Sequence, residues 1–206
     1  MRALPDGSWL IELNPETMPR VLVNERFYAR VAPGARKEDR VFLAERLATA
    51  NWLVRSLQQR AQTILKVAAE IIRQQDGFLQ RGVAHLRPLI LRDIAAAVEM
   101  HESTVSRVTA NKFIATPRGT YELKYFFTTA IHGTDGGESH SAEAVRHRIR
   151  ILIDAERAED ILSDDAIVAV LRQEGVDIAR RTVAKYREAL RIPNSAQRRR
   201  EKAVPA

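Results

Sequence analysis

Arg181 and Lys185 stand four residues apart with Val183 between them, and Ser103 and Arg107 stand four apart with Val105 between them. On a helix, residues i and i+4 share a face. If each valine is buried, its polar pair points nearly the opposite way. A guanidinium is a planar fork of donors that pairs bidentately with guanine O6 and N7 in the major groove. The chemistry these residues suit is reading base edges, not making or breaking bonds. Arg181 is the first candidate for a base contact, and Arg180 and Lys185 are base or phosphate contacts. Arg187, Arg191, Arg198, Arg199 and Arg200 suit phosphates, which set affinity and salt dependence but carry no sequence information. In the other unit, Arg107 is the candidate reader, with Ser103, Glu102 and Ser106 beside it. Thr104 and Thr182 either cap their helices or bond phosphate. His101 is either a DNA contact or a turn residue, and Arg118 and Lys124 are candidates for the nucleic-acid backbone.

The charge distribution supports this chemistry. The net charge is +7 with a pI near 10.1. Residues 141–179 hold five basic and nine acidic residues, and residues 180–202 hold nine basic and two acidic. The last segment therefore equals the excess of the whole chain. A concentrated basic element beside a near-neutral remainder is an electrostatic footprint of nucleic-acid binding.

Those residues need helices to position them. In Leu91–Val108, Ile94, Ala95 and Val98 supply one apolar helix face, Met100 fills a turn, and Val105 and Val108 supply a second face. Ala95 is the small residue where the helices cross, as a helix-turn-helix requires. Glu99 sits where a turn glycine is common, so that turn either avoids positive φ or carries strain. In Asp165–Leu190 the order repeats. Ser163 is a good N-cap, Asp164 and Asp165 suit the positive end of the helix dipole, and Gly175 suits a left-handed stop. The last helix should bury Val183, Tyr186 and Leu190.

Upstream, Leu43, Leu47, Ala50, Val54, Leu57, Ala61, Ile64, Ala68 and Ile71 recur every 3.5 residues. With no Gly or Pro between Gly34 and Gly77, the spacing predicts one helix from about Lys37 to Gln75, ~57 Å long. It should pack on its own flanking segments. Residues 8–31 alternate as extended chain. Gly133–Ser139, with three glycines, reads as a flexible linker between units that move independently. Tyr121, Tyr125, Phe126 and Phe127 form a core patch more readily than a base-stacking platform. The fold expected is mainly α: a short extended or hairpin segment over 1–36, a long helix and helix-turn-helix over 37–131, a linker over 132–141, and a small three-helix DNA-binding domain over 142–206.

Zero cysteines exclude a disulfide scaffold, a thiolate metal site and a cysteine nucleophile. No apolar run reaches the roughly 18 residues of a membrane span. The sequence predicts a cytoplasmic, non-enzymatic protein without cofactor or metal. His132, Asp135, Glu138, His140 and His147 surround the glycine stretch and imitate a metal site, but a flexible loop preorganises ligands poorly.

Ala179-Arg-Arg-Thr-Val-Ala-Lys-Tyr-Arg-Glu188 resembles, at all ten positions, the RpoN box of the sigma-54 transcription factors. Met100–Thr109, with Thr116–Gly119 and Glu122–Phe127, resembles the same family's other strong signature. Gln74-Gln75 with Phe78, and Trp9–Pro15, fit more loosely. The resemblance implies promoter DNA and bacterial RNA polymerase core as partners, with an ATP-hydrolysing enhancer-binding activator acting mainly through regions outside this chain. It further implies that the box reads an upstream GG element and the first helix-turn-helix a downstream GC element. The Gln- and Leu-rich region, acidic stretch and core-binding domain usual in the family are not in this sequence, so it resembles the C-terminal part. The competing reading is a generic helix-turn-helix repressor or a transposase DNA-binding fragment.

Overall fold

The computed structural model describes residues 1–134 and 137–203. The chain opens with a two-residue hairpin, β1 (Arg2–Ala3) against β2 (Trp9–Leu10). The extended reading of residues 8–31 needs correction, because Glu25–Val31 is a helix, α1. Asn24 caps it by accepting from the Phe27 amide at 2.9 Å. A side-chain cap satisfies one of the otherwise orphaned amides of a first turn, and this outweighs the apolar alternation.

Helix α2 runs over Lys37–Gln74, 38 residues, as its repeat predicts. Arg40 ties its start to the preceding turn by donating to the carbonyls of Pro33 and Ala35 at 2.6 and 3.0 Å. Within α2 only Val67, Ala68, Ile71 and Ile72 are buried. Its apolar seam therefore enters the core at the C-terminal end alone, and Trp52 is 68% exposed.

That end of α2 packs with α3 (Asp76–Arg81), α4 (Leu91–Val98), α5 (Glu102–Thr109) and a hairpin, β3 (Phe113–Thr116) with β4 (Gly119–Glu122). The hairpin was not expected, and it gives the first helix-turn-helix a wing. A turn at Leu123–Phe126 completes the cluster. Phe78 and Phe126 are fully buried, with ring centroids 5.5 Å apart, and Tyr121 and Tyr125 pack on Phe78. The aromatic run is core, as expected. Three polar side chains lock this unit. Gln75, fully buried, bonds both the N–H and the C=O of Arg87. Lys66 donates to Val98 O at the end of α4. Arg118 donates to the carbonyls of Leu79 and Gln80.

The described residues on either side of 135–136 are paired. Strands β5 (Ala130–Ile131) and β6 (His140–Ser141) pair across the glycine stretch. Thr134 N–H bonds Gly175 O at 2.9 Å, and Asp177 N–H bonds His132 O at 3.0 Å. A Cβ on Gly133 would lie 2.6 Å from Glu138 O, so glycine serves close backbone approach there, not looseness. Thr134, Gly175, His132 and Asp177 thus tie this loop to the second helix-turn-helix.

The second cluster is formed by α6 (Ala142–Asp154), α7 (Asp164–Gln173) and α8 (Arg180–Ala189) around Ile149, Ile167, Leu171 and Val183, all fully buried. Ser163 caps α7 and Ser141 caps α6. A further helix, α9 (Ser195–Ala203), adds to the three helices expected of this domain.

Candidate nucleic-acid interface

Helix α8 carries the basic stripe. Val183 has no exposed surface, so the α7–α8 packing fixes the rotation of the helix. Arg181 and Lys185 are both exposed on the outward side. Thr182 is half-buried, as are Tyr186 and Leu190.

Two cations of the basic segment do not belong to this surface, and their reading as phosphate contacts is corrected. Arg187 is 5% exposed. Its Nε donates to Asp164 Oδ1 at 2.9 Å, and its remaining nitrogens reach Asp164 Oδ2 and Ile192 O. Arg198 is 4% exposed and is held by Glu156 at 2.6 and 3.0 Å, with Pro193 and Leu162 carbonyls beside it. Burying a guanidinium is tolerable only with a carboxylate and full hydrogen bonding, and both arginines have them. Arg191, Arg199 and Arg200 stay exposed. Arg191 adopts a left-handed φ of 58° just past α8.

Arg180 is exposed but not free of its own protein, since its Nε lies 3.5 Å from Asp165 Oδ2. Sequence reading missed what Asp164 and Asp165 do, taking both as dipole partners of α7. Their signal is the tandem itself, two acids at one helix start facing two arginines seven residues apart on the next helix.

Helix α5 repeats the arrangement in the first unit. Val105 is fully buried, and Glu102, Ser103, Ser106 and Arg107 are exposed. Arg107 lies back along its own helix, donating to Ser103 O at 3.0 Å and to its Oγ at 3.3 Å. Glu102 pairs with Arg92 of α4 at 3.3 Å. His101 is the N-cap of α5, its Nδ1 accepting from Ser103 N–H. Glu99 takes the left-handed conformation, φ 56° and ψ 47°, so the turn keeps the geometry usually met by glycine. Arg118 is exposed, but its Nε and Nη2 are engaged by the α3 carbonyls of Leu79 and Gln80.

Among the described residues, no group of His, Asp and Glu is arranged to hold a metal ion. Asp135 of the imitated site lies outside them. Among the described residues, the one large acidity shift falls at the aromatic patch, where burial, reinforced by Glu143, pushes Tyr125 up to about 12.

Two helix-turn-helix units, each presenting a polar helix held outward by a buried valine, define a double helix-turn-helix protein. Residues 40–200 match the family model described as "Sigma-54, DNA binding domain", and the chain belongs to that family. It is 61% identical to the RNA polymerase sigma-54 factor of Rhizobium meliloti over all of its length and 40% of that protein's. It is 64% identical to that of Azorhizobium caulinodans, over 96% of this chain and 38% of the relative. The chain thus spans about two fifths of the length of these relatives. Among solved structures it is similar to Aquifex aeolicus sigmaN bound to promoter DNA, with a TM-score of 0.62 and 30% identity over 95% of this chain and 58% of that one.

Proposed function

We propose that this chain is the promoter-reading part of a sigma-54 factor. Helix α8 enters the major groove of an upstream GG element, with Arg181 on guanine and Arg180 and Lys185 on neighbouring bases or phosphates. Helix α5 addresses a downstream GC element through Arg107, with Ser103, Glu102 and Ser106 beside it. Arg191, Arg199 and Arg200 hold phosphates, and Thr182 borders the groove. Bacterial RNA polymerase core is the assembly directed to the promoter, and an ATP-hydrolysing enhancer-binding activator acts on it through other regions. Among the described residues, no helix is long and apolar enough to cross a membrane.

The observation that carries this reading is the burial of Val183 beneath exposed Arg181 and Lys185 on the helix that bears the family signature. Its support comes from the family match and from the related protein whose structure holds promoter DNA. The test is binding to a promoter duplex and to versions with GG or GC replaced. Arg181→Ala should lose preference at GG by about 1–3 kcal/mol, the worth of one bidentate pair, and keep its preference at GC. Equal weakening on every duplex rejects the assignment of Arg181. Binding that follows a palindromic operator instead would favour a generic repressor.

A further inference from the structure

Helix α7 begins with two adjacent acids, and each meets an arginine of α8. Asp164 meets buried Arg187 and Asp165 meets exposed Arg180. At about 100° per residue, Arg180 and Arg187 lie about 20° apart on α8, two turns from each other. Arg181 lies about 100° around the helix from Arg180. Arg180 is therefore the edge residue of the basic stripe, where the outward face meets the start of α7. The pair it makes with Asp165 leaves both side chains about two-thirds exposed, 68% and 65%. In water such a pair adds little to folding stability. Its effect is on direction: the carboxylate, 3.5 Å away, draws the Nε edge of the fork toward the start of α7.

We propose that Asp165 is a positioning residue for sequence readout. It holds the Arg180 guanidinium in the orientation that suits a base edge, and its negative charge disfavours the alternative in which Arg180 swings to a phosphate. This rests on the reading of α8 as the groove-facing helix. Phosphate contacts serve every sequence alike, whereas an oriented fork serves one base. Asp165 thus trades general affinity for discrimination. A carboxylate that only repelled DNA would weaken all duplexes equally. One that only stabilised α7 through its dipole would, when removed, weaken binding to all of them.

The test uses the full chain, a GG-containing promoter duplex and the same duplex with GG replaced. Asp165→Asn should lower the ratio of the two affinities by about 5-fold, part of what one bidentate pair supplies. The loss should come as weaker binding to the GG duplex with equal or tighter binding to the replaced one. Asp165→Glu should recover most of the ratio, and in an Arg180→Ala background Asp165→Asn should leave the ratio unchanged. Both affinities rising together, both falling together, or the same ratio change without Arg180 would overturn the proposal. If the unaltered chain itself fails to discriminate, the reading of α8 falls. If it discriminates and Asp165→Asn preserves the ratio, only the role of Asp165 falls.

Discussion

Arg181 and Arg187 are the same residue type on the same helix, six positions apart, and they have opposite fates. Arg181 faces outward, while Arg187 is enclosed by Asp164 and the Ile192 carbonyl. Removing one partner of a buried ion pair typically costs about 3–5 kcal/mol, because the other charge is left desolvated. Arg187→Ala is thus expected to lower stability by about 3 kcal/mol, whereas Arg181→Ala stays within about 0.5 kcal/mol. Urea unfolding of both variants measures this, and similar midpoints would refute it. Tyr125 gives a residue-level pH effect. Its folded pKa of about 12 lies above the ordinary tyrosine value of about 10. Between those values the unfolded chain has released the phenolic proton and the folded chain has kept it. Its contribution is therefore intact below about pH 10 and lost as pH rises through about 12. Phenolate absorbance should show a late step near pH 12 that is missing in Tyr125→Phe, and an unchanged curve in that variant would contradict the shift.

At the scale of elements, the turn between α4 and α5 is the informative one. Glu99 holds φ 56° without being glycine or asparagine, and a side-chain-bearing residue pays roughly 1–2 kcal/mol in that region. Its amide still bonds the end of α4, so Glu99→Gly keeps the hydrogen bonds and removes the steric term. We expect a gain of about 1 kcal/mol, with the α4–α5 geometry intact. A thermal melt decides it, and a lower midpoint would mean that the Glu99 side chain does something the backbone does not reveal. The glycine loop carries the converse lesson. Its composition reads as flexible, but Gly133 serves a close backbone approach, and only the partners at Gly175 and Asp177 reveal that.

On the scale of the whole molecule, two apolar clusters divide the fold, one over residues 67–126 and one over residues 145–183. Large-to-small substitution in a packed core costs about 2–5 kcal/mol. Ile167→Ala should therefore speed amide hydrogen exchange throughout α6–α8 and leave the amides of α2–α5 at their former rates. Acceleration of both sets together would show that the clusters unfold as one. The N-terminal two-thirds of α2 stand outside either cluster, with half-exposed apolar residues along the seam. Their 3.5-residue repeat is enough to keep a helix but does not supply a surface to bury it.

The long helix, both helix-turn-helix units and the outward stripes were legible in the residues. Periodicity is a local property: once a chain is helical, spacing alone decides which side chains share a face. The family signature at Ala179–Glu188 was legible by a different route, its resemblance at all ten positions to a known motif. Which arginines of the basic segment remain free was not. Arg187 needs Asp164, 23 positions away, and Arg198 needs Glu156, 42 away. A charge run looks the same whether its members face water or a carboxylate brought in by another loop. Only packing α7, α8 and α9 together sorts the cations that stabilise the domain from those left to meet a partner.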